Sequence, residues 1–371
     1  MRLNRVIRLS IALLGLLLLG PAGPAPMSAG ATEFRRVLAD SARETDPTPS
    51  PDGKWLAYTK SQGNPFTQIW IRPIEGGPER QLTHESDSAR AMTPTWAPDG
   101  RSLLYISTRE KNYNIYSIPL EGGEAKKLSH GPGSSRFAVY SPDGKSICFP
   151  SNRLQPTALY GYNLYVMGAE GESATRHARQ ITSMNGSPGH PTWSPDGKWI
   201  AFVAKTIDTT KTVTIGPGMT AKQNALFSMY RVFKVPADGG KPIQLSGLQA
   251  SEEKDEDVWP SWSPDGKWIA VARRVEGKND VWLVDPDRKR PAVRLTTKGN
   301  ASKPTWSADG KALWFTTFER NQEDIWVATD LTIPPPPPET KAPSFKPVSA
   351  KPAPAKKAPA KRAPAKATGT K

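Results

Sequence analysis

Cysteine is nearly absent: Cys148 is the single copy in 371 residues. One thiol rules out an intrachain disulfide framework and a thiolate metal cage, so stability must come from a packed core. Histidine is almost as scarce. His84, His130, His177 and His190 are scattered without metal-ligand spacing, and His84-Glu85 lacks the second histidine of a zincin helix. No Gly-x-Ser-x-Gly occurs, which removes a nucleophile elbow. Long apolar runs are missing as well, apart from Ile11 to Leu19, which is short for a bilayer span.

That run has the makings of a secretory leader. Arg2, Arg5 and Arg8 form a basic start, and Ala29-Gly30-Ala31 is a small-residue cleavage site, so residues 1–31 are predicted as a signal peptide. The other end is equally unlike a folded domain. Pro334 to Pro338 is an unbroken proline run, followed by Ala-Pro-Lys repeats to Lys371. Such a segment has little to bury, and 334–371 is predicted as a disordered basic tail. The two ends explain the formal charge of +15. Removing nine basic residues of the tail and three of the leader leaves roughly +3 for residues between them, so no nucleic-acid groove is expected.

The middle of the chain, 32–333, is a repeat. Ser50-Pro51-Asp52-Gly53 returns as Ala97-Pro98-Asp99-Gly100, Ser141-Pro142-Asp143-Gly144, Ser194-Pro195-Asp196-Gly197, Ser263-Pro264-Asp265-Gly266 and Ser307-Ala308-Asp309-Gly310. The aspartates are 47, 44, 53, 69 and 44 residues apart. Proline presets the turn, aspartate bonds its own backbone and glycine supplies the left-handed residue. Each turn is preceded by a short strand such as Pro191-Thr192-Trp193 and followed by an apolar one such as Trp199-Ile200-Ala201-Phe202. Two further strands complete each unit, as in Ile69-Trp70-Ile71 and Arg80-Gln81-Leu82-Thr83. Six four-stranded units at this period predict an all-β, six-bladed β-propeller. The last unit lacks its fourth strand. Arg36-Val37-Leu38-Ala39 is predicted to supply it and close the ring. The repeated tryptophans are read as core between blades.

Function is sought where the units differ. The residues just before the first strands, Asp46, Thr93, Phe137, His190, Trp259 and Lys303, are predicted to rim the channel mouth as a binding site. Blade 3 has a long loop carrying Tyr160 and Tyr162. Blade 4 has an insert, Lys205 to Arg231, carrying Met219, Phe227 and Tyr230. The entry to blade 5 is acidic, with Asp255, Glu256 and Asp257. Long loops on a rigid scaffold commonly bind partners. No cofactor is expected. The acidic run is the one place with the oxygen ligands a Ca²⁺ ion takes, with an ordinary solvated loop as the alternative.

The pattern Pro-Thr-Trp-Ser-Pro-Asp-Gly-Lys-Trp-Ile-Ala-Phe (Pro191–Phe202), with Gly-Gly and Gln-Leu-Thr following in other units, resembles the TolB-like six-bladed propellers over about Arg36 to Asp330. Related repeats also occur in prolyl-oligopeptidase-type propellers and in lyases. The resemblance implies a periplasmic or secreted, non-catalytic module that binds an envelope protein or peptide on its channel face, as TolB binds the peptidoglycan-associated lipoprotein; a monomer is expected. It departs from TolB in having no predicted α/β unit ahead of the ring. The basic tail would reach an anionic envelope surface. The competing expectation is a polysaccharide- or lactone-directed lyase or hydrolase with His190, Asp46 and Lys303 at the channel mouth.

Overall fold

The computed structural model describes residues 32–38, 42–61, 66–86, 88–156, 161–184, 186–207, 213–216, 219–221, 228–248, 255–319, 322–331 and 333, with backbone alone for 207, 213–216, 219–221 and 228. The predicted leader and tail lie outside these residues. After β1 (Glu33–Arg36), blade 1 is β2 (Arg43–Pro49), β3 (Trp55–Ser61), β4 (Gln68–Pro73) and β5 (Arg80–Gln81). Blade 2 is β6 (Ala91–Trp96), β7 (Ser102–Glu110), β8 (Asn112–Pro119) and β9 (Lys126–Lys127). Blade 3 is β10 (Val139–Tyr140), β11 (Ser146–Ser151), β12 (Asn163–Gly168) and β13 (Arg179–Gln180). Blade 4 is β14 (Gly189–Trp193), β15 (Trp199–Ile207), β18 (Ser228–Pro236) and β19 (Ile243–Gln244), with a hairpin of β16 (Val213–Gly216) and β17 (Met219–Ala221) inserted. Blade 5 is β20 (Glu256–Trp262), β21 (Ile269–Val275), β22 (Lys278–Val284) and β23 (Val293–Arg294). Blade 6 is β24 (Ala301–Trp306), β25 (Leu313–Glu319), β26 (Gln322–Thr329) and, from the other end of the chain, β1. The predicted all-β, six-bladed propeller with four-stranded antiparallel blades is what forms.

The Pro-Asp-Gly turns are self-contained. In blade 1 the Ser50 hydroxyl donates to Asp52 at 2.6 Å and accepts from the Trp55 amide at 2.9 Å, while Asp52 also accepts from the Lys54 amide. Gly53 takes φ of 71°, where a side chain would be strained. The serine bonds hold the carboxyls of Asp52, Asp143, Asp196 and Asp309 below the usual range.

The core is divided into six clusters, one per blade junction. Between blades 1 and 2, Trp96 packs with Ala57, Ile69, Ile71 and Leu103, and its indole N–H donates to the Thr48 carbonyl of the preceding blade at 2.9 Å. Trp306 occupies the same place between blades 5 and 6. Trp55, Trp193, Trp262 and Trp268 also pack at blade junctions, as their periodicity predicts, whereas Trp199 lies under the Lys234 ammonium at 4.6 Å. Cys148 is buried between blades 3 and 4, and burial pushes its thiol up, so it behaves as a small hydrophobe.

Ring closure works with one residue of offset from the sequence alignment. Arg36 lies opposite Trp326, as Gln81 lies opposite Trp70. The Val37 amide donates to the Ile325 carbonyl at 2.8 Å, as Leu82 does to Ile69. Leu38 therefore stands where five other blades have Thr or Ser, whose hydroxyl accepts an amide of the neighbouring strand, as in Ile69 to Thr83. The closing strand compensates with an ion pair, Arg36–Asp324 at 2.7 Å, in the place where blade 5 has Arg294–Asp280 at 2.6 Å.

Candidate functional site: the axial lumen

The first strands of the blades face the axis, and each carries the same irregularity. The β2–β3 register slips between Thr45 and Thr48, and equivalent slips occur in blades 2, 4, 5 and 6. At each slip a non-glycine residue adopts positive φ: Asp46 (55°), Thr93 (51°), His190 (49°), Trp259 (51°) and Lys303 (52°). In blade 3, Phe137 (46°) stands at the same place just ahead of β10. Except after Phe137, the next residue is proline, which has no N–H to give the ladder. A left-handed backbone costs about 1–3 kcal/mol in a β-branched or bulky residue. Here the flanking ladders impose it six times.

All six side chains line one cavity of about 210 Å³, together with the two residues that follow each. The six predicted rim residues are thus brought together. Five of them stand within the strands rather than ahead of them, and Phe137 just before β10: the first strands of those five blades start earlier than the proline suggests, because pairing resumes on both sides of the bulge. All six are half-buried.

The lumen has two unlike halves. Phe137 stacks on His190 (ring centroids 3.8 Å apart, 34° between planes), and His190 meets Trp259 edge-on at 6.0 Å and 79°. Opposite in chemistry, Lys303 Nζ pairs with Asp46 at 2.9 Å and donates to the Thr45 hydroxyl, 5.9 Å from the Trp259 ring centre. The Thr93 amide is anchored to the Thr59 hydroxyl of blade 1 at 3.1 Å. His190 is walled in by the ring while keeping part of its surface open to the lumen. Burial, aided by the Lys303 charge and opposed by Asp46, pushes its pKa down to about 3. It is therefore a neutral imidazole at pH 7. Among the described residues its Nδ1 and the Thr93 hydroxyl, both buried, meet no hydrogen-bond partner, leaving two unmet polar atoms in the lumen lining.

Of the other predicted site residues, those whose side chains are described, Tyr162, Tyr230, Asp255, Glu256 and Asp257, do not line this cavity. Tyr162 packs against the Arg136 guanidinium at 5.4 Å, and Tyr230 is stacked by Lys205 at 5.1 Å beside the blade 4–5 core. Tyr160 and Phe227 lie outside the described residues, and the side chain of Met219, on β17, is not described. The acidic run is not a free loop where it is described. Glu256 and Asp257 belong to β20, opposite Arg274 and Arg273. Asp257 is fully buried and bound twice by Arg273, at 2.7 and 3.1 Å, while Glu256–Arg274 is a loose 3.9 Å pair. Asp255 lies just ahead of the strand. Among the described residues no three His, Cys, Asp or Glu side chains group as metal ligands. Arg136, one residue before Phe137, was not marked by the sequence, because a single arginine outside the repeat motif carries no pattern.

No protein-family model matches the chain. Among curated proteins it is 28% identical over 201 residues to the uncharacterized peptidase YuxL of Bacillus subtilis, covering 44% of this chain and 30% of YuxL. The chain thus spans less than a third of that relative. It is 28% identical over 227 residues to the uncharacterized protein Atu1656 of Agrobacterium fabrum, covering 60% of this chain and 68% of that protein. Among solved structures, a protein of Agrobacterium tumefaciens provisionally described as TolB superposes with a TM-score of 0.56 at 20% identity, over 80% of this chain and 97% of its own. TolB from Acinetobacter baumannii follows at 0.53 and 20%, over 78% and 64%. The fold is that of the TolB-like propellers. It is shared with other chemistries: an oligogalacturonate lyase in complex with manganese superposes at 0.52 and 13% identity, over 82% and 98%. A TolB-like ring is therefore a scaffold, and function must be argued from the lumen.

Proposed function

We propose that this chain is a non-catalytic protein- or peptide-binding propeller of the cell envelope, with the lumen as its receptor. The observation that carries this reading is the lumen wall: an aromatic half, a charged half, and two buried polar atoms without partners among the described residues. Typical small-molecule sites run from about 300 to 1,000 Å³. At about 210 Å³ the lumen is smaller, and suits one side chain of an inserted segment better than several sugar rings. The TolB-like fold and the predicted leader support export to the periplasm, and the Lys-rich tail would add a salt-sensitive hold on anionic envelope surfaces.

Hydrolysis or lyase chemistry at the same wall is the second reading, favoured by the placement of His190, Asp46 and Lys303 in one cavity. Two features weaken it. A general base works best with a pKa near the operating pH, and His190 lies far below. Asp46 is already neutralised by Lys303, leaving too few donors for a resident metal. Photocrosslinking in envelope preparations tests the proposal, with p-benzoylphenylalanine placed at Phe137 or, on the exposed Pro-Asp-Gly turn of blade 4, at Lys198. A discrete adduct from position 137 that Trp259→Ala removes is expected. Equal adducts from both positions, or no effect of Trp259→Ala, would reject it.

A further inference from the structure

Beside the lumen stands an arginine that meets no carboxylate among the described residues. Arg136 precedes Phe137, so its Cα is within about 4 Å of that lumen residue's Cα. Its guanidinium stacks on Tyr113 of blade 2 at 3.8 Å and faces Tyr162 of blade 3 at 5.4 Å. Its main-chain amide is tied to the Pro150 carbonyl at 3.1 Å. Both tyrosine rings turn a face toward the cation. Its N–H donors lie in the plane, at the edge, and stacking does not consume them. Nε is buried and, among the described residues, meets no acceptor, and no carboxylate there pairs with this side chain. Other arginines at blade ends are engaged: Arg153 with Glu172 and Arg109 with Glu85. A half-buried, aromatic-clamped cation with idle donors has the makings of an anion receptor.

We infer that Arg136, held between Tyr113 and Tyr162, binds a carboxylate of the segment whose apolar side chain enters the lumen beside Phe137. The inference rests on the lumen reading and adds what it lacks, the charge of the partner. An acidic residue adjacent to an aromatic or aliphatic one fits the pair of sites. A guanidinium–carboxylate bond is charge-assisted and bidentate, so an amide isostere cannot replace it.

The test uses the full chain and two probes, acetyl-Phe-Asp-amide and acetyl-Phe-Asn-amide, titrated by calorimetry. The Asp probe is expected to bind about tenfold tighter, a gap that narrows as salt is raised. Arg136→Gln should bring the probes level, while Arg136→Lys, which keeps the charge but loses the planar stack and the bidentate fork, should retain only part of the gap. Thermal melts of both variants verify folding. Equal affinity of the two probes for the unaltered protein, or a gap untouched by Arg136→Gln, would overturn the carboxylate site and leave the lumen reading standing. Binding of neither probe would overturn both.

Discussion

Two residues one position apart show how differently charge is used in this ring. Asp257 is buried against Arg273 on the facing strand, whereas Glu256 touches Arg274 loosely at the surface. Breaking a buried pair costs about 3–5 kcal/mol, and losing an exposed one costs under about 1 kcal/mol. Urea denaturation should therefore show a large loss for Asp257→Ala and almost none for Glu256→Ala. Similar losses would mean that the buried pair contributes nothing specific. His190 makes a second residue-scale prediction. Its folded pKa lies below the unfolded value near 6.5, so the unfolded chain binds more protons between the two. The stabilisation is whole above about pH 6.5 and drains away as pH falls toward 3. Between pH 6.5 and 5 the loss is on the order of 1–2 kcal/mol. His190→Gln should flatten that slope, and its imidazole resonances should not titrate between pH 5 and 8.

At the scale of elements, the closing strand is the part most open to test. Without β1, the edge of β26 would present unpaired amides and carbonyls to other chains. Deleting 33–38 should lower the melting temperature and yield aggregates by size exclusion, and Arg36→Glu should reproduce a milder form by repelling Asp324. A monomeric, equally stable deletion would show that the ring does not need its clasp. This strand also shows what a sequence can and cannot disclose. The six turns, the second and third strands and the clasp were readable, because proline, aspartate, glycine and alternating apolar residues act locally. The clasp's register was one residue off, since Leu38 replaces the Thr or Ser that marks the position elsewhere. The first strands looked too short because proline hides the pairing that precedes it. Asp257 and Arg273 are distant in sequence, so the acidic run read as a loop. Arg136 gained meaning only once Tyr113 and Tyr162 met it across blades.

The molecule as a whole separates what holds it together from what it presents to a ligand. Cohesion resides in six apolar clusters between blades, and the lumen side chains Phe137, Trp259 and Lys303 belong to none of them. Trp306→Ala, which empties a junction, should cost about 3–5 kcal/mol. Trp259→Ala should cost far less while abolishing capture of the partner, a contrast readable from denaturation midpoints beside the crosslinking yield. If Trp259→Ala unfolded the protein, the two roles would not be separable. The recurrent left-handed kink ahead of proline gives this separation a deeper basis. An acid, a hydroxyl, two aromatics, an imidazole and an amine all occupy the same backbone posture, so the kink is indifferent to what it carries. Six interchangeable sockets around one axis let recognition be rewritten by point changes, while the masonry around them stays as it is.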